Sequence, residues 1–150
     1  MKVFYKYVFY ISLFIFLLSV SSYASNTKFN GTYSGTLNNG AELSLTFGND
    51  KNSKNDGNYI YLPKNSPFHV YEGIDDDNDP FTVTIIIKGR TIYFSKVGQY
   101  DTIPEYGWSD FIKMNFNKKY NSVKLSGFEI VENSSGNTSE TNINGTLEEE

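Results

Sequence analysis

Chemistry requires side chains that can carry a proton, a charge or a metal, and this chain of 150 residues has few candidates. It contains one histidine, His69, and no cysteine. Thiol catalysis is therefore excluded, and a Ser-His-acid triad would have to use that one ring. His69 stands beside Phe68 in a short strand-like stretch and reads as a structural or surface residue. Metal sites built on His and Cys fall with it. Asp75, Asp77 and Asp79 stand at alternate positions, as at the start of an EF-hand loop. Pro80 occupies the place where that loop needs Gly, however, and Ile86 the place of its bidentate Glu. The three acids remain a weak calcium candidate, and no cofactor is expected. Asp101, Glu105 and Asp110 could supply the carboxylate pair of a glycosidase, one protonated and one ionised. No feature of the sequence marks either state, and an enzyme is not expected.

One segment collects recognition chemistry instead. Residues 100–110 hold the single Trp, two Tyr and three acids with no base: Tyr100, Asp101, Glu105, Tyr106, Trp108 and Asp110, interrupted by Pro104 and Gly107. The Pro and Gly suggest a loop. Aromatics in such a loop serve either as a plug for the end of a β fold or as binding anchors, since Trp and Tyr dominate hot spots. The surrounding acids would favour a basic partner and speed its approach.

The balance of charge narrows the partners further. From Leu125 onward there are six acids, Glu129, Glu132, Glu140, Glu148, Glu149 and Glu150, and no base. A phosphate backbone needs a basic face, so nucleic acid is not expected, and neither is an anionic membrane surface. Residues 134–141 read as a polar loop and the final glutamates as a solubilising end.

The elements that must position these residues are strands. In residues 29–37, Phe29, Gly31, Tyr33, Gly35 and Leu37 share one face; in residues 41–47, Ala41, Leu43, Leu45 and Phe47 share one. Strict alternation marks half-buried antiparallel strands. Parity sets the turn. A two-residue Asn39-Gly40 loop would place Leu37 opposite Glu42, on the wrong face. A three-residue loop of Asn38, Asn39 and Gly40 pairs Leu37 with Ala41 and Tyr33 with Leu45, with Gly40 left-handed. The same reasoning pairs Ile87 with Ile92 across a Gly89-Arg90 turn, and Phe116 with Val123 across a four-residue loop. Phe128 and Ile130 then fall out of phase with Leu125, which predicts a bulge at Ser126-Gly127. Weaker strands are expected at residues 59–62, 68–71 and 142–147.

No helical apolar stripe interrupts this pattern. The fold class is therefore all-β, a small antiparallel meander of eight or nine strands. Residues 143–147, Ile-Asn-Gly-Thr-Leu, repeat the pattern of residues 29–33, Phe-Asn-Gly-Thr-Tyr. First and last strands of one kind suggest that they pair, so a closed up-and-down barrel is favoured over a two-sheet sandwich. Gly31-Thr32-Tyr33 resembles the Gly-x-Trp opening of lipocalin and avidin-type barrels over three residues, with Tyr in place of Trp. The likeness extends to the barrel only, and neither lipid nor biotin binding is carried over.

Residues 1–24 read as a secretory signal peptide. Lys2 and Lys6 precede an apolar run over residues 8–20, and Ser22-Tyr23-Ala24 supplies small residues for cleavage. The run is shorter than the roughly twenty residues of a membrane span. Residues 25–150 are then one secreted domain, periplasmic or extracellular, without disulfides. The leading expectation is a non-enzymatic inhibitor or immunity-type protein that meets a basic secreted partner through residues 100–110. The alternative is a carrier of an apolar small molecule, with Gly31, Tyr33 and Gly35 lining a cavity because the glycines leave room beside Tyr33.

Overall fold

The computed structural model describes residues 26–54, 58–64, 66–75, 77–100, 103–132 and 135–150; side chains are described from Lys28 onward, and not for residues 103–106. The expected signal peptide lies outside them. Nine strands form one strongly curled, mostly antiparallel sheet, a half-barrel: β1 (Gly31–Thr36), β2 (Glu42–Gly48), β3 (Tyr59–Tyr61), β4 (Phe68–Ile74), β5 (Pro80–Lys88), β6 (Thr91–Tyr100), β7 (Ile103–Phe116), β8 (Ser122–Glu132) and β9 (Thr138–Glu149). Their order across the sheet is β3-β2-β1-β9-β8-β7-β6-β5-β4.

The parity arguments hold at all three hairpins. Tyr33 pairs with Leu45 and Gly31 with Phe47, Leu37 N–H donates to the Ala41 carbonyl at 2.8 Å, and Gly40 has φ +86°. Ile87 pairs with Ile92 across Gly89, whose φ is +62°, and Phe116 pairs with Val123. Tyr33 and Ser34 of β1 pair with Glu149 and Glu148 of β9, so the first and last strands do meet. Strand β9 is longer than expected and takes up residues 138–141, because Glu129, Ile130 and Val131 of β8 supply a backbone ladder that needs no apolar side chains opposite.

Two expectations fail. The sheet is not a pure meander, because β3 runs parallel to β2, pairing Phe47 with Ile60. A parallel partner needs a crossover. That connection contains a short 3₁₀ turn, Lys51–Ser53, capped by Asp50, whose carboxylate accepts from Asn52 N–H at 2.9 Å. The sheet edges are therefore β3 and β4, not the first and last strands. Nor is there a bulge at Gly127. It pairs in register with Ile112 on one side and Ile143 on the other. The backbone passes so close to Phe111 and Ile112 that a Cβ at Gly127 would overlap them. A glycine that lets strands touch does the work assigned to an inserted residue. The inward phase runs on through Gly127 to Glu129 and Val131, and Phe128 faces outward against Phe111, with ring centroids 5.3 Å apart.

The core fills one end of the curl. Tyr33, Phe47 and Phe116 meet edge to face at 5.3 to 5.5 Å, and Phe29, from the 3₁₀ turn Asn26–Phe29, closes the end against Phe116 and Tyr120. The Tyr33 hydroxyl donates to the Tyr120 carbonyl at 2.5 Å, which ties β1 to the β7–β8 turn. Such T-shaped pairs add to the stabilisation from buried area. Leu37, Leu45, Phe47, Ile85, Ile87, Ile92, Met114, Phe116, Val123 and Leu125 are buried in this core, while Leu43 and Phe94 are half-buried against them.

The free edge of β4 is blunted. The Ser66 hydroxyl donates to the Phe68 carbonyl, and Lys54 Nζ reaches the Glu72 carbonyl at 2.8 Å. Capped carbonyls offer less to an incoming strand.

Candidate functional site: a cavity ending at a charged row

The residues expected to form a recognition loop are mostly strand. Strand β7 begins at Ile103, paired with Tyr100 of β6, and the only residues between the two strands, 101–102, lie outside the described set. Asp101 therefore has no described position, and Glu105 and Tyr106 have a described backbone but no described side chain. Pro104 and Gly107 suggested a loop, yet Gly107 sits in the ladder opposite Gln99, where its missing side chain lets β6 approach.

Strand alternation then decides where the remaining residues point. Met114 and Ile112 face the interior, so Asp110 and Trp108 face it as well. Asp110 pairs with Lys96 of β6 and with Glu129 of β8, which places a base and two acids side by side on the concave face. Trp108 lies one layer farther out. Its indole covers Gly98, where a Cβ would collide with the ring. Lys96 Nζ sits 4.6 Å from the Trp108 ring centroid and 4.3 Å from that of Phe81, so both aromatic faces hold one ammonium.

Between this row and the packed core is a cavity of about 300 Å³. Its walls are largely apolar, with Leu43, Leu45, Ile60, Phe94, Ile112 and Ile143 among them, and Lys96, Asp110 and Glu129 make a charged end. Leu43 and Phe94 are only half-buried because they border this space. The volume lies at the small end of ligand pockets.

Burial and charge act together on the polar end. Asp110 is pushed up to about 6, first by burial and then by the neighbouring Glu129, against the opposing pull of Lys96. Burial lowers Lys96, and Asp110 and Asp75 pull it back. Lys54, Tyr59 and Tyr71 face the same space from the β2–β3 connection, β3 and β4. Tyr71 is raised to about 12 by burial, and a hydrogen bond with the Tyr61 main chain opposes the shift.

The other sequence candidates sit elsewhere. Gly31, Tyr33 and Gly35 do not line the cavity. Tyr33 is fully buried in the closed end, and a Cβ on Gly35 would lie 2.7 Å from the Thr146 carbonyl oxygen, so that glycine admits a neighbouring strand rather than a ligand. Asp75 serves the β4–β5 turn: its Oδ1 accepts from Asp77 N–H at 3.1 Å and Asp79 N–H at 2.9 Å. Among the described residues no three His, Cys, Asp or Glu side chains are grouped to hold a metal ion. His69 packs as an aromatic, with ring centroids 5.2 Å from Tyr61 and 5.5 Å from Tyr71, and burial lowers its pKa.

The alternation rule would have found Lys96 and Glu129, had the strands been followed past their apolar residues. Phe94 leads to Lys96, and Leu125 leads through Gly127 to Glu129. No protein-family model, curated protein or solved structure matches the chain. The site is therefore read from its own geometry.

Proposed function

We propose that the protein is a non-enzymatic binding protein that holds a small molecule with an apolar body inside its curled sheet. The observation that carries this reading is the cavity itself, largely apolar on its walls, with Lys96, Asp110 and Glu129 grouped at one end and Lys54 on the opposite wall. The same combination of apolar contact and a few placed polar groups characterises small-molecule sites. In this reading the curl works as a barrel whose last seam, between β3 and β4, is made by side chains. Tyr61 supports it, with its ring against His69 and Tyr71. Secretion after removal of residues 1–24 belongs to the same proposal and is checked by the N-terminus of the exported protein.

Recognition of a basic protein through residues 100–110 ranks second, because Trp108 and Asp110, two of the three expected anchors with described side chains, turn inward. The test is a fluorescent apolar probe. N-phenyl-1-naphthylamine should bind one to one with a rise in emission, and Ile112→Trp, which fills the cavity, should abolish the signal while leaving the circular dichroism spectrum unchanged. Equal binding by both proteins would place the dye elsewhere and refute the reading.

A further inference from the structure

We propose that the ligand carries a cationic head, an organic amine, which the cavity receives between Asp110 and Glu129. This rests on the binding reading above and adds the chemistry of the polar end. Three observations lead to it. The row across β6, β7 and β8 contains two carboxylates and one ammonium, all on the concave face. The ammonium is already engaged, since Lys96 lies over the faces of both Phe81 and Trp108. The carboxylates border a cavity whose walls are largely apolar; its other ammonium, Lys54, lies on the opposite wall with Nζ on the Glu72 carbonyl, and at Asp110 the push of Glu129 exceeds the pull of Lys96, so the excess of negative charge is local to the row. A buried charge without full compensation is costly, and a ligand that supplies the missing charge recovers that cost on binding.

The cation is organic rather than a metal ion. Asp110 and Glu129 are the acids that line this cavity, and among the described residues no third His, Cys, Asp or Glu groups with them to hold a metal ion. Apolar walls such as Leu43, Ile60 and Ile143 would contribute nothing to an inorganic ion, but they would cover an alkyl or aryl body.

Protons add a second signature. Asp110 faces Lys96 from β6 and Glu129 from β8, with Lys54, Tyr59 and Tyr71 on the opposite wall. An arriving ammonium favours the ionised carboxyl, so binding should release protons near pH 6 and weaken as the pH falls below it. The release would appear as a binding enthalpy that changes with the ionisation enthalpy of the buffer.

Three probes with one chain length provide the test: n-octylamine, n-octanol and n-octanoate, each displacing N-phenyl-1-naphthylamine from the full protein at pH 7.5. Octylamine should displace the dye at a concentration at least about tenfold below that of octanol, the ratio expected from one well-made charged contact. The Asp110→Asn, Glu129→Gln double variant should bring that ratio close to one. Its amides keep the shapes of the acids, and dye binding together with an unchanged circular dichroism spectrum verifies that the variant folds. Equal displacement by all three probes would overturn the amine head and leave the cavity reading standing. Preference for octanoate would overturn it in favour of Lys96 as an anion receptor. If the dye does not bind and no probe changes the Trp108 emission, both the cavity reading and the amine fail together.

Discussion

The two ends of the concave face are built from the same strands and differ in almost every physical respect. At the closed end, Tyr33, Phe47, Phe116 and Val123 are nearly inaccessible to solvent and every ring meets another. A few residues along the same strands, Phe116 gives way to Asp110, Ile92 to Lys96 and Leu125 to Glu129. One end is packed and the other is electrostatically unresolved. The closed end holds the sheet together, and the stability it supplies tolerates a buried carboxyl at the other end that is raised to about 6. Unsatisfied groups of this kind concentrate where proteins bind things.

The contrast can be broken first at the packed end. Phe116→Ala should lower the unfolding free energy by about 4 kcal/mol in urea denaturation, because the ring fills the centre of the aromatic cluster. A loss below about 1 kcal/mol would show that this end is not the foundation. The open end should respond with the opposite sign. Asp110 binds its proton more tightly folded than unfolded, so the native state holds more protons between about pH 4 and pH 6 and stability falls as pH rises through that window. Asp110→Asn should therefore stabilise the protein at pH 7 by on the order of 2 kcal/mol, with the gain disappearing near pH 4. A destabilised variant at pH 7 would mean that the carboxylate is well compensated.

Smaller changes sharpen the comparison. Tyr33→Phe keeps the ring and removes the donor to the Tyr120 carbonyl, which should cost about 1 kcal/mol. Gly40→Val should cost a similar ~1 kcal/mol through backbone strain alone, since its φ is +86° and nothing lies within 4 Å of the added Cβ. Lys96→Met should change stability least. It should instead move Asp110 further upward, because it removes the one neighbour that favours the ionised carboxyl, as a carbon-13 NMR titration of the side-chain carboxyl would record.

Sequence alone carried the framework where hydrophobic alternation met a turn with a demanding backbone. Gly40 and Gly89 fixed two registers, and the repeat of Phe-Asn-Gly-Thr-Tyr in Ile-Asn-Gly-Thr-Leu correctly brought the first and last strands together. Reading failed where the inward face stops being apolar. Lys96, Asp110 and Glu129 look like solvent residues, and a strand that points them inward leaves no apolar signal beyond Phe94, Ile112 and Leu125. The phase change at Gly127 imitated an inserted residue because the outward Phe128 and Ile130 are themselves apolar. The parallel β3 was hidden for another reason. Three residues, Tyr59–Tyr61, carry too little pattern to declare a direction, and only the pairing of Phe47 with Ile60 does so. The candidate site was thus least legible at the residues that define it.

The pairing of β1 with β9 also shapes how the chain is made. During synthesis β1 and β2 can form their hairpin early, but the other edge of β1 has no partner until Ser34 and Tyr33 meet Glu148 and Glu149, which are made after all the other strands of the sheet. The buried cluster around Tyr33 also waits for Phe116. Contacts so distant in sequence slow folding and leave a nascent sheet edge open to other chains. A chaperone that occupies the emerging β1–β2 hairpin would shield that edge for the whole interval of elongation.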